Sequence, residues 1–337
     1  MIQFAIVGCG HIADKHLEAI LQVEGAQLAA VCDTNVLRLE EWGARTGAAT
    51  FIDLEEMLLR MPEISVICIC TPSGLHAPLA VKAAQAGRHL IIEKPVALTI
   101  EDGDAILRAV QRYGVKAAAV HPNRYRPAVR YLKWALDSGK FGRISHVNAT
   151  VRWNRNQAYY DQAPWRGTRA MDGGVLMNQA IHNLDLLLWL FGPVQDVQAM
   201  ADTRLRHMEC EDVAIATVRF HSGVLGVVEA ATTVYERNLE ESISVFGEHG
   251  YAVIGGPTAQ WIKQWKCSSM TEGEIAQLRA KVEQDPLGIP GHQRIIQDMV
   301  TAIREDRSPA ITAADGMHAV RLIDQMLLSS RAEQSQI

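Results

Sequence analysis

No apolar run in this sequence approaches the roughly 18–20 residues that a membrane helix requires. Its six cysteines include no Cys-x-x-Cys pair, and no cysteine–histidine spacing fits a zinc site, so no metal is expected. There is no cationic excess either. The formal net charge is −5, which argues against nucleic acid as the main partner. Repeats and low-complexity segments are absent. The first residues have no basic region ahead of an apolar stretch and already read as a strand, so a secretory signal is not expected. Cys32, Cys68 and Cys70 lie in or at the ends of apolar runs, as small buried hydrophobes do, and a reducing cytoplasm is the expected location.

What remains is a globular protein. Its 337 residues, 48% hydrophobic and 21% charged, suit two domains better than one core. The first third alternates strands and helices. Gln3 to Val7 reads as a strand and feeds Gly8-Cys9-Gly10-His11-Ile12-Ala13, after which a helix runs to about Gln22. This is G-x-G-x-x-A between a strand and a helix, the context in which glycines let the backbone approach a pyrophosphate seated on the helix N-terminus. A second strand, Gln27 to Cys32, ends in Asp33. An acid there accepts the adenosine ribose hydroxyls and repels a 2′-phosphate, which favours NAD over NADP; the alternative is that Asp33 merely caps the next helix. Ser65 to Cys70, Arg88 to Ile92 and Lys116 to Val120 continue the strands, with Thr99 and Asp102 opening an intervening helix. Such alternation implies right-handed crossovers and a parallel sheet, with ligands beyond the strands' carboxyl ends, where Gly8, Asp33, Thr71, Lys94 and His121 all fall.

From His121 to Ala170 eight arginines and two lysines face two aspartates. A long loop, residues 154–172, adds Tyr159, Tyr160 and Trp165 beside Arg155 and Arg166. Guanidinium groups grip phosphate and carboxylate while aromatics stack on a base or sugar face, so an anionic, sugar- or nucleotide-bearing ligand fits. An equal reading is that these arginines pair with acids on the other domain or on a partner subunit. Asp172 to Trp189 reads as glycines followed by a buried helix from Val175, with Asn178, His182 and Asp185 at i, i+4 and i+7 on one face. The polar stripe either lines a pocket or is satisfied within the core. Beyond it, six strand-like runs with short turns imply antiparallel hairpins, with both sheet faces covered, and two helices, 291–304 and 313–330, close the chain. The expected organisation is an α/β Rossmann domain with a doubly wound parallel sheet over 1–122. An α+β domain with a large, mostly antiparallel sheet follows over 123–337, for substrate binding and assembly.

The glycine turn, Cys70-Thr71-Pro72 with His76, Glu93-Lys94-Pro95, and Gly173-Gly174 leading to His182 and Asp185 together resemble the glucose–fructose oxidoreductase / inositol dehydrogenase (Gfo/Idh/MocA) family across essentially the whole chain. More narrowly, Asn123-Arg124-Tyr125, Tyr159-Tyr160-Asp161-Gln162, Trp165-Arg166-Gly167-Thr168 and Asn178-Gln179 resemble its nucleotide-sugar branch. That branch includes UDP-N-acetyl-2-amino-2-deoxyglucuronate 3-dehydrogenase and UDP-N-acetylglucosamine 3-dehydrogenase. The resemblance implies NAD-dependent oxidation of a sugar 3-hydroxyl, and assembly as a homodimer or homotetramer. It adds Pro72, His76, Glu93, Asn123, Trp165 and Arg166 to His11, Ile12 and the motif residues at the cofactor, and gives Arg155, Tyr159, Asn178 and Gln179 to the substrate. Many members carry Asp four residues before the catalytic histidine where this chain has Asn178, so an Asp–His dyad is not available. His182, with an ordinary pKa near 6.5, suits proton removal from a secondary alcohol, and Lys94 suits the developing alkoxide. Asp185, one helical step beyond His182, is placed to orient the imidazole; alternatively Lys94 is itself the base. A free polyol or monosaccharide is the competing substrate class, and a cofactor-sensing protein without turnover the competing function.

Overall fold

The computed structural model describes residues 1–334, which divide into two compact units. The first comprises Met1–Pro122 and Ile289–Val320, the second Asn123–Gly288 and the chain from Arg321 onward. The division at 122/123 is present, but 123–337 is not one body: Ile289–Val320 returns to the first unit. The physical reason lies in its contacts there. Ala119 donates its backbone N–H to Ile311 (3.1 Å), Lys116 meets Asp306 (2.8 Å), and Gly291 packs so close to Pro122 that a Cβ would stand 2.5 Å from it.

In the first unit six strands run parallel in the order β3-β2-β1-β4-β5-β6. They are β1 (Ile2–Val7), β2 (Ala26–Cys32), β3 (Ala49–Phe51), β4 (Ile64–Ile69), β5 (His89–Ile92) and β6 (Ala117–Ala119). Between them lie α1 (His11–Gln22), α2 (Val36–Thr46), α3 (Leu54–Arg60), α4 (His76–Gln85) and α5 (Ile100–Tyr113). Val66 to Ile69 and Leu90 to Ile92 are fully buried, as central parallel strands covered on both faces must be. Thr99 caps α5 by accepting the Asp102 N–H (3.1 Å), as the sequence indicated. Strand order reverses between β1 and β4, which is the switch point at which ligands of such sheets bind.

The second unit opens with α6 (Pro127–Asp137) and β7 (Ile144–Arg152), neither expected from the sequence. The long loop carries one short helix, α7 (Gln157–Tyr160). The helix expected from Val175 instead begins with a π-helical turn, Leu176–Ala180, and continues as α8 (Ile181–Phe191). Six more strands follow: β8 (Val194–Asp202), β9 (Val213–Phe220), β10 (Leu225–Ala231), β11 (Glu240–Gly247), β12 (Gly250–Gly255) and β13 (Trp261–Cys267). The sheet runs β13-β12-β11-β7-β10-β9-β8, antiparallel throughout except for β7 beside β10. An unanticipated helix, α9 (Glu272–Gln284), follows with a full capping box at Thr271 and Glu274. Then come α10 (Gly291–Arg304) in the first unit and α11 (Ala313–Gln334), whose residues from Arg321 belong to the second.

The sheet's two faces differ. Val147, Ala149, Val151, Ala216, Val218, Val228, Ala230, Ile243 and Val245 are buried, and α8 packs against β7 on that side. Asn183 of α8 reaches the Thr150 and Ser242 carbonyls (3.3 Å each). On the other face β9 exposes every second residue, so within one chain that face is open; the expectation that it packs on a second subunit concerns the assembly.

Candidate functional site

In the first unit the glycine turn joins β1 to α1. Gly8 has φ +93°, and a Cβ there would lie 2.8 Å from the Cys70 carbonyl and the Thr71 nitrogen, so only glycine fits against the end of β4. At Gly10 a Cβ would meet nothing within 4 Å. No side chain caps α1 at Gly10, which leaves the first N–H groups, His11 and Ile12 among them, available to an anion. Asp33, at the end of β2, accepts the Cys9 N–H on one oxygen (2.8 Å) and the Asn35 N–H on the other (2.8 Å). The cap of α2 is Asn35, not Asp33. Each carboxylate oxygen keeps a further lone pair for ribose hydroxyls. A glycine turn with open space above it, an uncapped helix N-terminus and an anchored acid fit a dinucleotide.

The remaining sequence-derived cofactor residues of this unit divide by burial. Thr71 and Pro72 are half-buried at the end of β4, and Lys94 is half-buried after β5. His76 and Glu93, by contrast, are sealed (1% and 5% exposed), with their polar side-chain atoms on protein partners. His76 directs Nδ1 at the Pro95 carbonyl (2.7 Å) and Nε2 at the Thr71 carbonyl (3.0 Å). Glu93 takes the Nε2 atoms of His16 (2.9 Å) and His292 (3.2 Å) on Oε1, and the Lys94 N–H (3.2 Å) on Oε2. Burial works against the Glu93 charge, but the two histidine donors outweigh it and hold its carboxyl well below the usual range. The Lys94–Pro95 peptide is cis. His121, at the end of β6, is buried.

In the second unit the site residues gather around the π-helical turn. Gly174 leaves room for the buried Glu211 carboxyl, which accepts the Leu176 N–H (3.1 Å); a Cβ at 174 would lie 2.3 Å from it. Burial pushes the Glu211 pKa up. Asp172, also buried, accepts the Gly167 N–H (2.7 Å) and the Asn178 amide (2.5 Å). An ionised carboxylate only accepts, so this bond fixes the Asn178 amide with its nitrogen toward Asp172. Asn178 and His182 are half-buried, Gln179 and Asp185 buried. Gln179 is 4% exposed with its carbonyl oxygen unpartnered, so the expected substrate contact at this position is not supported. Asp185 receives the Arg124 guanidinium on both oxygens (2.6 and 2.9 Å), a buried bidentate pair.

The basic segment is partly spent in this way. Arg126 stands 3.9 Å from Glu241, Arg152 binds Glu229 and Glu240, and Lys133 pairs with Asp137. Asn123, expected at the cofactor, is buried and donates to Glu241 (3.1 Å). What remains is a ladder of rings and guanidinium groups. Arg155 lies over Trp153 (5.1 Å) and Tyr159 (5.2 Å), and Arg166 over Tyr159 (4.2 Å) and Trp165 (4.8 Å). All five side chains are half-buried, and the Arg166 Nε is buried without a partner. Such a ladder keeps cationic edges and aromatic faces together at a surface. The residues that the sequence alone did not single out include Trp153 of the ladder, and His16 and His292, which stand 77 and 199 positions from Glu93; a histidine on the apolar face of α1 was the available signal for the last pair.

Two family models match the chain. Residues 2–121 match the oxidoreductase family with an NAD-binding Rossmann fold, and residues 129–253 match the GFO/IDH/MocA C-terminal domain. Among solved structures, the WlbA dehydrogenase from Bordetella pertussis, in complex with NADH and UDP-GlcNAcA, is 37% identical with a TM-score of 0.91, over 98% of this chain and 95% of that one. The UDP-N-acetylglucosamine 3-dehydrogenase of Acidithiobacillus ferrooxidans is 30% identical over 74% of this chain and 72% of its own length. The myo-inositol 2-dehydrogenase of Thermotoga maritima is 25% identical over 74% of each.

Proposed function

Because this chain belongs to the Gfo/Idh/MocA oxidoreductase family, we propose that it is an NAD-dependent dehydrogenase that oxidises a secondary hydroxyl, at C3, of an anionic nucleotide-linked sugar. The observation that carries the substrate class is the Trp153–Arg155–Tyr159–Arg166–Trp165 ladder, which offers stacking faces beside two guanidinium groups, that of Arg155 donating to the Asn154 and Asn238 oxygens rather than to a carboxylate. Free sugars and polyols need hydroxyl partners but no such cationic, aromatic surface. Similarity to a dehydrogenase solved with UDP-GlcNAcA supports the same reading.

The turn at Gly8 and Gly10, the N-terminus of α1 and Asp33 would hold the dinucleotide, which when bound supplies the hydride acceptor. We take it to be NAD: Asp33 disfavours a 2′-phosphate, and the nearby Arg38 faces the Asp33 carboxylate at 3.9 Å. His182 accepts the hydroxyl proton, Lys94 carries the cationic ammonium that meets the oxygen as charge develops, and Asn178 orients a substrate hydroxyl through its carbonyl oxygen. The open sheet face joins a second copy of the chain. Met200, Ile215, Leu225 and Val227 are exposed there, in an apolar group that a single soluble chain gains nothing by displaying.

The test is turnover. Purified protein is assayed for NADH formation with UDP-N-acetylglucosamine, its glucuronate, and a set of free sugars and polyols, each with and without UDP as competitor. Turnover confined to UDP-sugars and inhibited by UDP supports the proposal. Turnover of inositol that UDP leaves untouched transfers the site to free polyols, and tight NAD binding without turnover makes the protein a sensor. The pH profiles of Lys94→Met and His182→Ala assign the base, which is whichever residue carries the acidic limb of kcat/KM.

A further inference from the structure

We propose that His16 and His292 are positioning residues: clamped on Glu93, they fix the Glu93–Lys94–Pro95 segment and thereby aim the Lys94 ammonium. This rests on the reading of Lys94 as the group that meets the substrate oxygen, and it gives that reading a supporting structure entirely within the first unit.

Three elements far apart in sequence converge on one carboxylate. His16 comes from α1, the helix whose N-terminus faces the dinucleotide turn, and His292 is the second residue of α10. Their rings meet edge to face at 5.2 Å, and both direct Nε2 at Glu93 Oε1. The other carboxylate oxygen receives the backbone N–H of Lys94 itself. The far end of the segment is held as well, by His76 at the Pro95 carbonyl. A half-buried lysine thus stands between two buried neighbours, the Glu93 carboxylate and the Pro95 carbonyl both engaged. A buried carboxylate costs several kcal/mol to desolvate, and an apolar residue would fill the same volume more cheaply. What the carboxylate adds is direction: it converts donors from α1 and α10 into one orientation of the Lys94 backbone.

The same three ligand atoms lie within 4.8 Å of one another, the donor set of a divalent metal site. Proton placement decides between the two. An ionised carboxylate only accepts, so each histidine must present an N–H at Nε2. In His16 this leaves Nδ1 as a bare lone pair, and Nδ1 is indeed buried without a partner. A metal on Nε2 would force the proton onto Nδ1, where the described residues offer no acceptor, whereas metal-bound histidines nearly always donate that second N–H. Burial lowers the His16 pKa in the same sense, keeping the ring neutral. The clamp is hydrogen-bonded.

The test compares His292→Leu, His292→Gln, Glu93→Gln, Lys94→Ala and the His292→Leu/Lys94→Ala double variant. For each, NAD affinity is read by fluorescence titration, folding by thermal melting, and kcat and KM with a UDP-sugar. The clamp predicts that His292→Leu keeps NAD affinity within about threefold and loses about tenfold to a hundredfold in kcat, as a misaimed group does. His292→Gln, which retains an N–H donor, restores most of it. In the double variant the His292→Leu loss disappears into that of Lys94→Ala, because both act through one amine. Glu93→Gln, close to isosteric, must reproduce the kcat loss and serves alone if His292→Leu does not fold. Unchanged kcat in His292→Leu or Glu93→Gln, losses that multiply in the double variant, or stoichiometric zinc that His292→Leu abolishes would each overturn the clamp. A fully active Lys94→Ala instead overturns the role of Lys94, and with it any reason to aim it.

Discussion

The two glycines of the dinucleotide turn should fail in opposite ways when given a methyl group. At Gly8 the backbone sits at φ +93°, and the new Cβ lies 2.8 Å from three backbone atoms of Cys70 and Thr71, none of which can swing aside as a side chain would. The conformation costs an L residue about 1–2 kcal/mol and the overpacking about 1–3 more, so Gly8→Ala should lose roughly 2–5 kcal/mol. For a body of this size that lowers Tm by roughly 4–20 °C. At Gly10 the backbone is extended (φ −84°, ψ −174°) and the Cβ meets nothing. Gly10→Ala should therefore keep full stability, or gain about 0.4–1 kcal/mol from a stiffer unfolded chain. Its methyl, however, enters the space through which a pyrophosphate must approach the backbone. Overpacking of about 1–3 kcal/mol there weakens NAD roughly fivefold to 150-fold. The assay is a thermal melt of each variant with and without NAD, beside a fluorescence titration. A Gly10→Ala protein that binds NAD as wild type, or that melts as low as Gly8→Ala, refutes the assignment of the open space to the cofactor.

Other perturbations test the second unit. Asp185→Asn should destabilise by about 3–5 kcal/mol in urea titration, because it strands the buried Arg124 guanidinium, whereas Arg124→Met/Asp185→Leu should recover most of that loss. Burial outweighs the pull of Arg126 and pushes the Glu241 carboxyl up to about 7, against an ordinary 4.5. Between those values the folded state keeps a proton that the unfolded chain has released, so stability falls as pH rises through that window and levels off above it, by roughly 3 kcal/mol in all. Glu241→Gln should flatten that slope and raise Tm on the alkaline side; an unaltered slope would show that the carboxyl titrates normally. Val227→Glu places charge at the centre of the open sheet face, and light scattering after size exclusion should show a smaller assembly with unchanged circular dichroism.

How much of this was legible in the sequence depended on whether neighbours in the chain carry the signal. Five of the six parallel strands announced themselves because a strand buried on both faces must be largely apolar, as Val66 to Ile69 is, whereas β3, three residues long and mostly exposed, went unread. The cofactor turn was equally local. β7, the strand that joins the two halves of the second sheet, went unread because Ser145, His146, Asn148 and Thr150 interrupt its apolar pattern. Of these His146, Asn148 and Thr150 face the open side, and only the partners β10 and β11 reveal that Val147, Ala149 and Val151 face inward. The π-helical turn at Leu176–Ala180 was invisible for another reason. A surround apolar on nearly every side, Gln179 and Asn183 apart, gives too little phase to reveal one extra residue per turn, so an even stripe of Asn178, His182 and Asp185 was the natural expectation. The basic segment misled in magnitude. Charge counts locate arginines but not the acids that meet them, and Arg124, Arg126 and Arg152 are answered by Asp185, Glu241, Glu229 and Glu240 some 60 to 120 positions away. The same arithmetic applies to Glu93, whose companions on α1 and α10 share nothing with it in sequence but geometry. Spacing therefore finds groups that bind a ligand through one turn or one helix face. Groups that hold those residues in place are found only once the chain has folded back on itself, and in this protein they are as specific in their hydrogen bonds as the site they support.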